Sequence, residues 1–522
     1  MVPPSSPANK KLPIKNAALI LLLAFLAVIM LKAFYLSSQH VNSMSRSLAL
    51  VDCYRAEMLM RTVDAADYWS QAAYGLNAET HKRVIQTYDK VILQAKGFLD
   101  DASAKEPDDL VILAKKMIVD ARIGKDIESD LIIFSSMSAA MEKSAVSHKT
   151  IEFAKIILAI YRYDVSVGSS NTSKHNAVIV SNTDLHILEN YLPDGWYREQ
   201  VLLRAYKINH QDSSYQKLLS AIKDKTWRYV FKLVLIGISG IIAILVGIIV
   251  ILYQLIMAGN RSSSQKDGSK AKEGAIERQP AKYSWQTVAC VFLAWFFTQI
   301  VVGYSASLLK QKGLSFSFTG SFAPAISIGL IYLLSNGPGL IYIYLFALKP
   351  NGLKFAEGIS FRLHVGQYGT IALILVGILG WCAAMPLVIA AVFVSANLFG
   401  SSGSSNPVIA FVMEAAQQNN LFAILLFYFT LGVLAPLCEE ALFRGFFYKY
   451  LRSRHNIVLA NVLSSGLFAI VHMDIGALLP LFCLGSIFAY LYETTDSIVP
   501  AMVAHGLWNS ITFTLLLVLL GS

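Results

Sequence analysis

Long apolar runs broken by short charged stretches leave this chain few ways to fold. Runs of this kind occur at about 17–36, 229–257, 285–308, 321–348, 367–397, 420–448, 456–473, 476–492 and 498–520. Most exceed the roughly 20 residues that a helix needs to cross a bilayer core of about 30 Å. Backbone amides in hydrocarbon must be satisfied within the segment, so a helix is the form such runs take. With 55% hydrophobic and only 15% charged residues, and a mean hydropathy of +0.52, the chain cannot be an ordinary soluble protein. The expected fold is therefore an all-α polytopic membrane protein of about nine transmembrane helices.

One stretch departs from this pattern. From residue 37 to about 226, polar residues alternate with apolar ones at helical spacing, as in Leu110, Ile112, Leu113, Met117 and Ile118. Turn signals fall at Pro107-Asp108-Asp109, at Gly168-Ser169-Ser170-Asn171 and at Pro193-Asp194-Gly195. Residues 37–226 thus read as a helical domain inserted between the first two spans. Residues 1–36 form a cytoplasmic N-terminus and first anchor, preceded by Lys10, Lys11 and Lys15; a cleaved signal peptide is the competing reading. Residues 227–258 form the second transmembrane helix. Residues 259–283 have linker composition, and Arg261, Lys266, Lys270, Lys272, Arg278 and Lys282 make them basic. Positive loops face the cytoplasm, which puts this linker inside and the 37–226 domain outside. The same argument puts the Lys349–Arg362 and Lys449–Arg454 loops inside and the string 398–419 outside. The multi-pass chain then sits in a membrane, read as a bacterial inner membrane.

The balance of 44 Lys and Arg against 34 Asp and Glu, a formal +10, belongs to such loops, and nothing suggests a nucleic-acid partner. The five cysteines form no CxxC pair and no disulfide framework. Cys438, in an apolar stretch with no cation beside it, reads as a packing residue rather than a nucleophile. The triplet Asn171-Thr172-Ser173 fits a glycosylation sequon, a pattern common by chance.

Ionisable and amide side chains inside spans are costly and need partners or a cavity. Three clusters stand out: Pro436 to Gly445 with Glu439, Glu440 and Arg444; Phe468 to His472; and His505 to Asn509. Glu440 and Arg444 lie four apart with the acid first, the favourable order for a pair on one helix face. Glu439 is turned by about 100° and can face another environment. Pro436 removes a hydrogen bond to the carbonyl of Gly432 and should kink the helix just before the pair. His505 and Asn509 share a face, as do Phe468 and His472. Singly, each has a bland explanation as a cap, an anchor or an interhelical hydrogen bond. Together they supply a base, proton donors and oxyanion stabilisers, the parts that amide hydrolysis needs.

The ordered set EExxxR, FxxxH and HxxxN resembles the signature of the CAAX-processing and bacteriocin-processing (CPBP) intramembrane proteases, a family that includes Rce1-type CAAX prenyl proteases and bacterial Abi proteins. The stretch Tyr492 to Pro500 is similar to the turn before that family's last motif. The resemblance covers about 284–522, and residues before 284 have no counterpart in it. It implies an endopeptidase cutting a peptide or protein substrate near the cytoplasmic face. Glu439 would activate water with His472 assisting, and His505 and Asn509 would stabilise the oxyanion, supported by Glu440, Arg444 and Phe468. The substrate need not be prenylated. No cofactor is required on this reading. A zinc ion held by Glu439, His472 and His505 is the alternative, although the HExxH spacing of a zincin is absent.

If every run crossed straight, His505 would lie about 10 Å along its span and His472 roughly 25 Å along its own. The motifs would then miss each other, unless the His472 helix starts deeper or the chain after Arg444 dips into the membrane. Two other functions compete: a non-catalytic scaffold or bacteriocin-immunity protein, and a receptor built on the 37–226 domain. Against a receptor, the tract after Met257 is too short for a signalling output, so the domain better suits recruitment of a protein partner or substrate.

Overall fold

A computed structural model describes residues 42–74, 78–143, 148–168, 181–192, 194–266, 280–311, 323–366, 368–399 and 420–520. The first apolar run, the sequon at Asn171, part of the basic tract and residues 400–419 lie outside these. Regular structure among the described residues is helical, with one isolated antiparallel bridge between Val365 and Tyr368. The all-α polytopic class is thus what the chain adopts.

Eight helices build the N-terminal domain: α1 (Asn42–Tyr74), α2 (Ala78–Thr87), α3 (Asp89–Lys105), α4 (Leu110–Arg122), α5 (Glu128–Lys143), α6 (His148–Gly168), α7 (Asn182–Tyr191) and α8 (Trp196–Ile208). Their apolar faces enclose a core that includes Met60, Leu99, Met117, Phe134, Phe153 and Trp196. The turn signal at Pro107 ends in an N-cap: the Asp109 carboxylate accepts from the amides of Val111 and Ile112, satisfying two orphan donors of α4. Buried charges are paired. Arg61 bonds Glu57 and Glu199, and Asp64 accepts from the Trp196 indole and from Arg122.

Helix α9 (Asp212–Lys266) is the structural surprise. Its 55 residues run unbroken for about 80 Å. The composition change near residue 226 therefore marks a change of environment and not a break in the backbone. Lys225, near that change, reaches back to Glu199 of the N-terminal domain at 3.2 Å. At the other end the helix continues to Lys266, inside the tract read as a linker.

Seven described helices are long and apolar enough to cross a membrane. They are the apolar part of α9, then α10 (Trp285–Gln311), α11 (Ala323–Tyr342, prolonged to Asn351 by π and 3₁₀ turns), α12 (Thr370–Phe399), α13 (Leu421–Arg452), α15 (Leu478–Thr495) and α16 (Val499–Leu520). The run at 456–473 differs from expectation. It forms α14 (Ile457–Ile470), whose 14 residues span only about 21 Å, short of a crossing. Met473 turns the chain there with φ 53°, and Asp474 accepts from the amide of Ala477 just before α15.

Polar contacts tie one end of this bundle together. Arg452 makes a two-pronged pair with Glu493, both bonds 3.0 Å, and Arg362 bonds Asp496. Lys449 donates to the Gly358 carbonyl at 3.0 Å and to Ser360 Oγ at 3.2 Å. These bonds join the loop after α11 to the end of α13 and to the turn between α15 and α16.

Candidate active site

The EExxxR motif lies in the middle of α13, which is not a uniform α-helix. Two π segments, Thr430–Leu434 and Ala441–Tyr448, flank the α-helical Ala435–Glu440. Pro436 therefore acts differently from the expectation of a missing bond to Gly432. In the π register the amide of Ala435 reaches the carbonyl of Thr430, so the acceptor that Pro436 cannot serve is Leu431. Asn509 of α16 fills that place, its Nδ2 donating to the Leu431 carbonyl at 2.9 Å. Close approach makes this bond reachable: a Cβ added to Gly506 would stand 2.4 Å from the Gly432 oxygen. Asn509, implied by the resemblance as an oxyanion stabiliser, thus uses one amide hydrogen as a cross-helix tie. An amide carries two.

Glu440 and Arg444 pair as their spacing predicts, Arg444 Nη1 donating to Glu440 Oε1 at 3.0 Å, and both side chains are fully buried. Arg444 also donates through Nη2 to the Gly485 carbonyl at 3.1 Å, and its guanidinium lies 4.5 Å from the ring centre of Phe468 and 5.2 Å from that of Phe488. His505 meets the same carboxylate oxygen through Nδ1 at 2.8 Å. Opposed to a carboxylate paired with arginine, Nδ1 is the protonated nitrogen. Phe488 stacks on the imidazole at 5.0 Å and Phe468 meets it edge-on at 6.0 Å, so the ring is held on three sides. That hold aims Nε2 at Glu439.

Glu439 has a different environment from its neighbour. Its side chain keeps 17% exposure where Glu440 has none. Oε1 accepts from the Tyr332 hydroxyl of α11 at 2.9 Å. Oε2 has no hydrogen-bond partner among the described residues and lies 3.9 Å from His505 Nε2, too far for a direct bond. Glu440 Oε2 likewise lacks a partner among the described residues, but Glu440 is fully buried with Arg444 and His505 on its other oxygen, whereas Glu439 meets no cation that close and keeps some exposure.

His472 sits just past the end of α14, exposed, with Nδ1 2.7 Å from the Phe468 carbonyl. A carbonyl only accepts, so Nδ1 carries the hydrogen and Nε2 is the outward nitrogen. The ring lies 4.9 Å from that of Phe468, which also meets His505 edge-on at 6.0 Å. Glu439, Glu440, Arg444, Phe468 and His505 therefore form one cluster, with Asn509 one turn along α16 and His472 beside the Phe468 ring.

Three His, Cys, Asp or Glu side chains do not converge as a metal set anywhere among the described residues, and Glu439, His472 and His505 are no exception. Phe468 packs against both imidazoles, and each ring has its Nδ1 on a protein oxygen, which leaves Nε2 as its remaining nitrogen. Among the described residues the three side chains are not gathered as a ligand set, and the mechanism is derived from the protein's own groups.

Tyr332 is the site residue that motif reading missed. Its only local signal is a second polar residue, Asn336, four positions on in the same apolar run.

Residues 420–511, which contain all three motifs, match the family model described as "Type II CAAX prenyl endopeptidase Rce1-like". Over 79 residues the chain is 34% identical to the Bacillus subtilis (strain 168) protein named "Putative membrane peptidase YdiL", a stretch covering 15% of this chain and 32% of that protein. The chain thus spans about a third of the length of this curated relative. No solved structure matches it. The family resemblance read from the motifs is borne out where those motifs stand.

Proposed function

From the Rce1-like domain at 420–511 we propose that this integral membrane protein is an intramembrane endopeptidase, with Glu439 as the base that activates water. The observation that carries this reading is the half-satisfied Glu439 carboxylate. One oxygen is held by Tyr332, and the other is buried, unpaired among the described residues and 3.9 Å from an imidazole locked by Glu440 and Arg444. One water spans 3.9 Å with an ordinary hydrogen bond to each side. On attack its proton passes to Glu439 and its oxygen joins the carbonyl carbon. Glu439 then returns the proton to the amide nitrogen, which leaves as the amine. The second amide hydrogen of Asn509 and the His505 ring are assigned to the oxygen that gains charge, with Glu440 holding that ring through Nδ1. His472, beside Phe468, is assigned an assisting role.

The substrate class is a membrane-associated peptide or protein cut near the cytoplasmic face. Reading the basic loops as cytoplasmic supports that orientation and an N-terminal domain on the outer side of what we take to be a bacterial plasma membrane, where it would recruit a substrate or protein partner. The reaction uses no cofactor.

Purified protein in liposomes, offered a library of membrane-tethered peptides, is expected to release fragments identifiable by mass spectrometry. Cleavage should map near the face bearing the Arg452 and Lys449 loops. Folded protein that leaves the library intact, under conditions where a control membrane protease cuts it, would overturn the assignment.

A further inference from the structure

Glu439 is held from outside the region that the family model covers. Tyr332 belongs to α11, 107 residues before Glu439, and among the described residues its hydroxyl is the one hydrogen-bond donor that the carboxylate meets. The tyrosine is itself anchored. Asn336, one turn along the same helix, donates to the backbone carbonyl of Tyr332 at 3.3 Å, and Gln299 of α10 donates to Asn336 Oδ1 at 3.2 Å. Gln299 and Asn336 thus tie the backbone of α11 at Tyr332 to α10, and the tyrosine hydroxyl separately meets the carboxylate. Each of these polar side chains is costly in hydrocarbon and each has a partner.

We infer that Tyr332 is a positioning residue of this site, which fixes the Glu439 carboxylate through Oε1 so that Oε2 presents its lone pair toward His505 and the attacking water. This rests on the endopeptidase reading and adds to it a component from helices α10 and α11. The chemistry is suited to the task. A phenol donates one hydrogen bond without bringing a charge, so it steadies the carboxylate without the full neutralisation that a lysine or arginine would impose. With one oxygen pinned, rotation of the carboxylate away from the imidazole loses a charge-assisted bond. Near-attack geometry is then built in before substrate arrives.

The test compares the wild type with Tyr332→Phe and Glu439→Gln in liposomes, following cleavage kinetics, thermal unfolding and the infrared band of the Glu439 carboxylate. That band is isolated by subtracting the Glu439→Gln spectrum. Tyr332→Phe keeps the ring and removes only the hydroxyl. Its kcat is expected to fall by about tenfold to a hundredfold, the rate equivalent of one hydrogen bond to a charged group, with KM and the unfolding midpoint unchanged. The carboxylate band should shift in the same variant. Wild-type kcat with an unmoved band overturns the positioning role while leaving the Glu439 mechanism intact, provided Glu439→Gln is inactive. A fall in kcat that tracks a lowered unfolding midpoint also overturns it, since ring packing then accounts for the effect. Turnover retained by Glu439→Gln defeats the endopeptidase reading itself, and the infrared band still reports whether Tyr332 bonds the carboxylate.

Discussion

Glu439→Gln is expected to slow peptide cleavage by roughly 10²–10⁴-fold, the range supplied by a positioned general base, with the fold unchanged. Glutamine has the same shape and its amide oxygen can still accept from the Tyr332 hydroxyl 2.9 Å away, so the packing around α13 has no reason to move. What it cannot do is take a proton from water. The wild-type carboxylate is already half unsatisfied, since Oε2 has no partner among the described residues, and its replacement therefore removes no structural bond on that side. Steady-state kinetics in liposomes, paired with a thermal unfolding curve, check both halves of the prediction. Unaltered turnover would leave the buried acid as a packing feature.

Arg444→Met is expected to have the opposite signature, a loss of stability. Removing one partner of a buried ion pair strands the other charge, at a cost of about 3–5 kcal/mol. Here the stranded group is Glu440, which has no solvent exposure and would keep only His505 Nδ1 as a donor. The Gly485 carbonyl and the faces of Phe468 and Phe488 lose their cation at the same time. Unfolding of the detergent-solubilised protein, followed by circular dichroism, should show this loss. The double change Glu440→Gln with Arg444→Met should recover most of it, because the uncompensated charge is then gone. If Arg444→Met alone unfolds like the wild type, the guanidinium is not balancing Glu440.

These two expectations separate neighbouring residues that look alike in sequence, and that separation was partly legible there. The i,i+4 spacing of Glu440 and Arg444 signals their pairing because helix geometry alone brings such residues together, and the bond is found at 3.0 Å. The rotation of Glu439 away from that pair follows from the same geometry. His505 and Asn509 were placed on one face for the same reason. What local spacing cannot convey is register and long-range approach. The π turns around Ala435–Glu440 change which carbonyl Pro436 leaves unserved, and so change what Asn509 bonds. Tyr332 reaches Glu439 from another helix, which no periodicity encodes.

The lengths of helices were legible only where composition and backbone end together. Around Thr226 and Trp227 the chain passes from polar to apolar without a proline or a capping motif, so α9 simply continues. The run at 456–473 is apolar enough to resemble a span, yet the helix stops at Ile470 and the chain turns at Met473. The four-residue spacing puts His472 beside Phe468, and the early stop ends the helix within that same turn.

The account rests on water held by Glu439 being the group that attacks the peptide carbonyl. A single-turnover cleavage in ¹⁸O-labelled water, with enzyme in excess over a peptide of known scissile bond, tests this directly. One labelled oxygen is expected in the new carboxylate from the first turnover. Product that emerges unlabelled from that turnover would mean that a protein oxygen attacked first, contradicting the mechanism.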